Sequence, residues 1–302
     1  MEPEMPDQMP TDLCYLPATR ALELFRLKAL SPVELLQAQI DRAQAVEPVI
    51  NAFSGCFFEE ALDQARASEA RYARGQAMGP LDGITLAAKE ENLIKGFPNT
   101  MGSLAYKNRR AGQTAVLIKR CQEAGAIIHA QTTTPEFSCV GVCHSQLWGV
   151  TRNPWNTEFS PGGSSGGAGA SLAAGTTALA TGSDIAGSIR IPASACGLVG
   201  FKPPYGRIPQ NYPFKYDSFC HPGPMARTVG DCILLENVMA GPSPRDMTSL
   251  KPKYVIPADL GAVKGLKIAY SPDLGYFNIA PDVRANTESV LDMLREAGAQ
   301  VE

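Results

Sequence analysis

The sequence predicts an α/β fold in which a large mixed, mostly parallel sheet carries helices on both faces. Apolar runs typical of strands alternate along the chain with helical stretches, and this alternation favours parallel strands joined by crossover helices. Of the 302 residues, 44% are hydrophobic, which is enough for one large core. Because no linker-like segment interrupts the pattern, residues 18–302 are expected to form a single domain.

The individual elements follow from local signals. Ser31 and Glu34 form a capping box with Pro32 at the first helical position, so a helix is expected to begin there. A second amphipathic helix is predicted over residues 59–74. Farther along, strands are predicted over residues 84–88, 126–130, 197–201 and 266–270, and helices over residues 114–124, 166–180, 229–240 and 282–297.

The two ends of the chain are expected to differ from the rest. Residues 1–17 begin with an acidic, proline-rich stretch that lacks the basic and apolar regions of a signal peptide, so a flexible leader and a cytoplasmic location are expected. At the other end, the helix over 282–297 leads into residues 299–302, which look like the opening of another strand. The sequence is therefore expected to be the N-terminal portion of the domain, either as a fragment of a longer protein or as a gene product that lacks the C-terminal part.

Charge and composition exclude several classes of function. The 27 basic and 30 acidic residues are mixed along the chain, so no basic stripe suggests binding to nucleic acid. Residues 168–187 could span a bilayer by length, but they are mostly small and include Asp184, so a buried helix and turn is expected. The expected partner is a small neutral or apolar molecule, with no membrane partner, and a homodimer is left open.

The cysteines and histidines do not suggest a metal centre. The eight cysteines are scattered, which is typical of buried thiols and not of a disulfide framework. Cys139, Cys143 and His144 lie close together, but no second pair at zinc-finger spacing follows them. With His129 and His221, the histidines are too few and too scattered for a Ser-His-Asp triad to be assigned. Neither a metal nor an organic cofactor is expected.

Two serine clusters on glycine-rich backbone are the strongest chemical signal. Ser164 and Ser188 are 24 positions apart with no histidine between them, and a serine becomes a nucleophile only when a base takes its proton. Lys89, at the end of an apolar run that reads as a strand, is a candidate base. A lysine can accept a proton only when neutral, a form that burial away from carboxylates favours. Glu90 is expected to point away from Lys89, and Glu91 to lie already in the loop.

Five motifs, in order along the chain, resemble the amidase signature family. They are the PLDGI stretch with Lys89 and the residues Gly96, Thr100 and Ser103 after it, PGGSSGG (161–167), GSDIAGSIR (182–190), PASACGLVGFKP (192–203) and GPMARTVGD (223–231). The resemblance runs from about residue 20 to the last residue. It implies an α/β/α sandwich around the sheet and hydrolysis of a carboxamide C–N bond.

The resemblance also implies catalytic roles. Ser188 matches the family's nucleophile, Ser164 the bridging serine that follows a cis peptide bond, and Lys89 the general base. The backbone N–H groups over 185–188 are expected to stabilise an oxyanion; they belong to Ile185, Ala186, Gly187 and Ser188. Ala186 stands where the family usually has glycine.

Supporting residues are implied less directly. Ser165 is expected to support the site by hydrogen bonding, and Asp184 and Arg190 to form a buried pair that fixes the nucleophile loop, with Arg227 in a similar role. The segment of Phe137, Ser138 and Cys139 matches one that lines the family's acyl pocket. Ser145 and Gln146 depart from the family's pattern nearby, so the substrate is not transferred by analogy.

The resemblance leaves three functions open. In the first, Ser188 attacks a small aryl or alkyl amide, ammonia or an amine leaves, and water releases the acid. In the second, the chain is the glutaminase subunit of a tRNA-dependent amidotransferase and passes ammonia to a partner. In the third, it is an inactive or binding-only homologue. The GGSSG run (162–166) also fits the nucleophile elbow of α/β-hydrolases, but a loop precedes it instead of the required strand.

Overall fold

The structure, a computed structural model, describes residues 12–211 and 214–302. These residues form two compact units that divide after Ile256, where a single domain over 18–302 was predicted. Most of the predicted flexible leader, residues 1–11, lies outside the described residues. Among residues 12–211 and 214–302, none of the helices combines the length and the apolar composition of a membrane span.

Helices and strands alternate through the first unit, as predicted. The helices are α1 (Ala18–Leu27), α2 (Pro32–Ile50), α3 (Phe58–Ala73), α4 (Val116–Glu123), α5 (Gly166–Ala173), α6 (Arg190–Cys196) and α7 (Val229–Met239). The strands are β1 (Phe53–Cys56), β2 (Thr85–Lys89), β3 (Ile127–Thr132), β4 (His144–Ser145), β5 (Gly149–Val150), β6 (Leu179–Asp184), β7 (Val199–Gly200) and β8 (His221–Ala226).

A six-stranded mixed sheet organises this unit, in the order β1-β3-β2-β6-β8-β7. The central neighbours β3, β2 and β6 are parallel, and the outer pairings are antiparallel. Successive strand residues enter cores on opposite faces: Leu86 and Ala88 join one apolar cluster with α1, α4 and α7, and Ala87 joins another with α5. Helices therefore cover both faces, which confirms the predicted sandwich.

Strands β1, β4, β5, β6 and β8 were not predicted, and the sequences of β6 and β8 lack the usual strand signals. The helix predicted over 166–180 ends at Ala173, and β6 follows in a run of small residues. Strand β8 contains Pro222 and Pro224, which are rare inside sheets. The Pro224 carbonyl accepts a hydrogen bond from the Phe201 N–H and therefore faces the β7 side of the strand. The nitrogen atoms of both prolines, which have no hydrogen to donate, face the same side, where pairing with β7 reaches only as far as Met225.

The segment before α1 is held in place, which corrects the leader prediction for residues 12–17. A short 3₁₀ helix (Leu13–Tyr15) precedes α1, and Leu16 is buried. Arg227 donates to the carbonyls of Leu16, Leu172 and Thr177 at 2.7–3.2 Å. It therefore ties this segment to the sheet through carbonyl groups and not through the predicted pair with an acid.

The second unit is small. A parallel pair, β9 (Lys267–Ile268) and β10 (Gln300–Val301), is joined through helix α8 (Pro281–Glu296). The predicted helix over 282–297 and the strand expected at 299–302 are both present.

The buried carboxylate of Asp82 fixes the turn that leads into β2. It accepts hydrogen bonds from Ser68, from the Arg71 guanidinium and from the main-chain N–H of Met78 at 2.5–2.9 Å. Burial by itself raises the pKa of Asp82, but the Arg71 hydrogen bonds and the other donors outweigh it and hold the pKa below its usual value. The end of α3 is thereby joined to the start of the strand that carries Lys89.

We expect Asp82→Asn to lower the free energy of unfolding by about 2–4 kcal/mol, because it leaves Arg71 without its carboxylate. Urea unfolding followed by circular dichroism measures the change. Asp63→Asn, at the exposed Arg66–Asp63 pair, is the matched control and should cost less than about 1 kcal/mol. Equal effects of the two substitutions would contradict this role of Asp82.

Candidate active site

The carboxyl ends of two sheet strands bring the predicted residues together. Strand β2 ends at Lys89 and its parallel neighbour β6 ends at Asp184. Parallel strands present these ends at one edge of the sheet, where α/β folds usually bind ligands. The PGGSSGG turn reaches the same edge, since Ser165 precedes helix α5 and its hydroxyl contacts the main chain of Ser183.

Lys89 is fully buried at the centre of this site. Its Nζ is 2.8 Å from the Ser164 hydroxyl and 2.8 Å from the Ser183 hydroxyl. Its main-chain N–H donates to Oγ1 of Thr181 at 3.0 Å. An amine within hydrogen-bond distance of a hydroxyl has the geometry that proton transfer requires.

The two serine clusters meet through main-chain contacts. The Gly163–Ser164 peptide bond is cis, as predicted. A Cβ at Gly163 would collide with the Val142 carbonyl, so this position requires glycine. The Ser165 N–H donates to the Ser188 carbonyl at 3.1 Å. Ser188 is half-buried, and its hydroxyl makes no hydrogen bond to any residue that the structure describes.

The carboxylate of Asp184, itself fully buried, shapes the loop that carries Ser188. It accepts from the N–H groups of Gly187, Ile189 and Arg190 at 2.7–3.3 Å and from the Arg190 guanidinium at 2.9 Å. Burial by itself raises the pKa of Asp184, but the Arg190 and main-chain hydrogen bonds lower it to about 2. The predicted pair is present, although the Arg190 side chain is 55% exposed and only Asp184 is buried.

This arrangement corrects one of the predicted oxyanion donors. The Gly187 N–H is already bonded to Asp184 at 2.7 Å. The N–H groups of Ile185, Ala186 and Ser188, by contrast, have no acceptor within the described chain. Gly187 still contributes its conformation: its φ is +112°, and a Cβ would come within 2.8 Å of Ile191. Three of the four predicted donors are therefore free to bind a negatively charged oxygen.

A carboxylate lies beside Lys89, which corrects the expectation that the lysine is buried away from acids. Oε2 of Glu91 is 3.4 Å from Nζ and accepts a hydrogen bond of 2.7 Å from Ser138. Burial by itself raises the pKa of Glu91, but the Lys89 charge and bonds from Ser183 and Ser138 outweigh it and lower the pKa. Glu90 points away, as predicted, and accepts from the N–H groups over 100–101.

A cavity of about 260 Å³ adjoins Lys89 through Ser183 and Glu91. Phe137, one of the predicted substrate-binding residues, lines it. Ser138 instead holds Glu91, and the exposed Cys139 thiol turns back to the Phe137 carbonyl. The other lining residues are Asn92, Leu93, Asn99, Met101, Tyr106, Arg109, Ala115, Leu117, Gln210, Asn211, Phe214, Cys220 and Pro222.

In the described part of the chain, no histidine or cysteine side chain is hydrogen-bonded to Ser164, Ser165 or Ser188. His129 bonds to the Thr176 carbonyl, and burial lowers its pKa to about 4. His221 contacts the Asp184 carbonyl at 3.3 Å, and His144 is exposed. All eight cysteines are free thiols. Within the described ranges, no group of three or more His, Cys, Asp or Glu side chains could hold a metal ion.

Two residues that contact Lys89 were not predicted as site residues. They are Ser183 and Glu91. Ser183 was hidden because β6 was not predicted. Had it been, the spacing of Thr181 and Ser183 would have placed both on the Lys89 side of the strand. Glu91 lies in the loop after β2, as predicted, but its contact with Lys89 was missed because the chain turns immediately after that strand, as the bond from the Asn92 N–H to the Lys89 carbonyl shows.

Comparison with known proteins gives relatives of two kinds. A glutamyl-tRNA(Gln) amidotransferase subunit of Chloroflexus aggregans is 39% identical over 293 residues, which cover 96% of this chain and 60% of that protein. An acylamidase of Rhodococcus erythropolis is 38% identical over 293 residues, covering 96% and 61%. The chain thus spans about 60% of the length of these relatives.

Solved structures and a family model agree with this relationship. A bacterial aryl acylamidase of the amidase signature family has a TM-score of 0.90 at 32% identity, covering 95% of this chain and 60% of its own. A 6-aminohexanoate cyclic dimer hydrolase has a TM-score of 0.84 at 34% identity, covering 96% and 60%. The model of the Amidase family matches residues 34–302. The chain therefore belongs to the amidase signature family.

Proposed function

We propose that this chain carries the reaction centre of an amidase, which hydrolyses the C–N bond of a small carboxamide through an acyl-enzyme on Ser188. The observation that carries the proposal is the fully buried Lys89, with Nζ 2.8 Å from Ser164, beside a loop with three free N–H groups. Acylamidases and other amide hydrolases among the similar proteins support the same reaction class.

The first step is attack on the amide carbon. The Ser188 oxygen bonds to that carbon while its proton passes to Ser164, and Ser164 passes its own proton to neutral Lys89. The bond from the Ser165 N–H to the Ser188 carbonyl holds Ser188 against the residue that follows Ser164, which supports this transfer. Lys89 ends the step protonated.

The developing oxyanion is bound by main-chain N–H groups. Ile185, Ala186 and Ser188 offer the donors that Asp184 leaves free. One such donor contributes about 3 kcal/mol to the transition state. Lys89 then returns its proton through Ser164 to the leaving nitrogen, the C–N bond breaks, and ammonia or an amine departs. Water, deprotonated by the same path, cleaves the ester and releases the carboxylic acid.

A second function is favoured by one observation, the 39% identity to a subunit of an amidotransferase. In that case glutamine is the amide and the ammonia passes to a partner protein. A panel of aliphatic, aryl and amino-acid amides scored for ammonia release separates the two functions, because only the glutaminase prefers glutamine. Release from none of them would favour the inactive homologue.

We expect a fluorophosphonate probe to label one serine and peptide mapping to place it at Ser188. Ser188→Ala should abolish labelling and lower kcat by about 10⁴-fold or more, as the loss of a nucleophile does. Ser194→Ala, on the next helix, is the control and should label normally. Labelling at Ser164 or Ser165 instead would contradict the assignment.

We expect Lys89→Met to lower kcat by several orders of magnitude, because Ser164 then has no base. The same substitution should lower kcat/KM for a neutral amide by a similar factor, because it removes a group that acts in the transition state. Lys119→Met, at an exposed ion pair, is the matched control and should change neither value. Near-normal turnover by Lys89→Met across the pH range would rule out the relay.

We expect Asp184→Asn to lower kcat by about 10²-fold, because the loop no longer holds the free N–H groups in place. The pKa of Asp184 is depressed to about 2 in the folded protein. Its stabilisation is therefore complete above the usual aspartate range near pH 4 and is lost as the pH falls toward 2. Melting temperatures of the two proteins should differ at pH 7 and converge toward pH 2. A constant difference would contradict this role.

A further inference from the structure

One stretch of the first unit has an unbalanced charge. Residues 92–122 contain six basic side chains and no acidic one, although the chain as a whole is slightly acidic. The six are Lys95, Lys107, Arg109, Arg110, Lys119 and Arg120. The stretch runs from the end of β2 into α4 and supplies much of the cavity lining.

Arg109 differs from the other arginines of this stretch because it lines the cavity. Arg110 donates to the Gly96 carbonyl, and Arg120 donates to carbonyls at residues 239, 241 and 242. Across the described ranges, no carboxylate lies within 4.0 Å of Arg109. Its guanidinium is exposed and has no partner of opposite charge.

Aromatic side chains position this guanidinium. Its Cζ lies 5.1 Å from the centroid of the Tyr106 ring, a distance typical of a cation–π contact. Tyr106 in turn meets Phe137 edge to face, with centroids 5.6 Å apart. All three side chains line the cavity and are exposed, so they mark the side on which it opens.

The inner end of the cavity has the opposite character. Glu91 and Ser183 line it there, and both contact Lys89. Oε2 of Glu91 lies 3.4 Å from Nζ of Lys89 and accepts a hydrogen bond from Ser138, so this carboxylate has partners. Arg109 is therefore the one lining charge without a partner in the described part of the cavity. An anionic group would be attracted to the open end and repelled by the Glu91 carboxylate at the inner end.

We propose that Arg109 determines substrate specificity, and that the preferred substrate is an amide carrying a carboxylate on the side remote from the C–N bond. This inference rests on the proposed amidase function. The neutral amide group enters toward Lys89 and Ser188, an apolar or aromatic spacer packs against Tyr106 and Phe137, and the carboxylate pairs with the guanidinium of Arg109. A guanidinium can bind a carboxylate through two parallel N–H···O bonds, which fixes orientation as well as charge.

A matched pair of substrates tests the preference. Both 4-carbamoylbenzoate and its methyl ester present the same ring and amide, and only the first carries the remote charge. We expect the unsubstituted protein to favour the carboxylate in kcat/KM. Arg109→Gln should reduce that preference about tenfold, through a higher KM for the carboxylate, and leave the ester unchanged. Arg109→Lys should keep part of the preference.

Arg110→Gln is the matched control, because it removes the same charge from the next residue, which does not line the cavity. It should leave the substrate ratio unchanged. An equal fall in Arg110→Gln would mean that general charge attraction, and not Arg109 contact, sets the preference, and would overturn the proposal. An unchanged ratio in a folded Arg109→Gln protein would overturn it as well.

A binding measurement separates this inference from the proposed function. Calorimetric titration of the full chain with the two compounds does not require turnover. Tighter binding of 4-carbamoylbenzoate than of its ester, lost in Arg109→Gln, would support the anion site even if no amide is hydrolysed. Equal binding of the two compounds by the unsubstituted protein would overturn the site, whatever the outcome of the amide panel.

Discussion

The candidate active site depends on the buried carboxylate of Asp184. A charged group out of water requires several donors, and Asp184 obtains them from Arg190 and from three N–H groups of the chain that follows it. These bonds hold the loop in a form in which its other N–H groups have no acceptor in the described chain and the Ser188 carbonyl accepts from Ser165. The geometry proposed for oxyanion binding is thus a consequence of solvating one carboxylate with the backbone.

Sheet topology brings this loop to the lysine. Strands β2 and β6 are parallel neighbours, so Lys89 and Ser183 meet at one edge although 94 residues separate them in sequence. The Asp82 carboxylate fixes the turn that leads into β2. At the other end of that strand, the main-chain N–H of Lys89 donates a hydrogen bond to the Thr181 hydroxyl. Lys89 is therefore held at the main chain as well as at Nζ. A side chain that contacts two serine hydroxyls at once requires both restraints.

The cavity contains two acid–base environments of different kinds. At the inner end, Oε2 of Glu91 lies 3.4 Å from Nζ of the fully buried Lys89 and accepts a hydrogen bond from Ser138. At the open end, Arg109 lies against Tyr106 with no carboxylate beside it. A substrate that spans the cavity would experience both, and the opposite signs at the two ends would set its orientation.

The sequence by itself determined the helix start at Ser31, the cis bond at Gly163–Ser164 through the family motifs, and the closeness of Lys89 to Ser164. Such features depend on short-range patterns or on motifs that span only a few residues. Only the tertiary structure decided that 179–184 is a strand, that Gly187 donates to Asp184, and that Glu91 lies beside Lys89. Small residues and prolines carry no periodicity of their own, and a carboxylate's partner is chosen by which strands become neighbours, a long-range contact that local sequence does not encode.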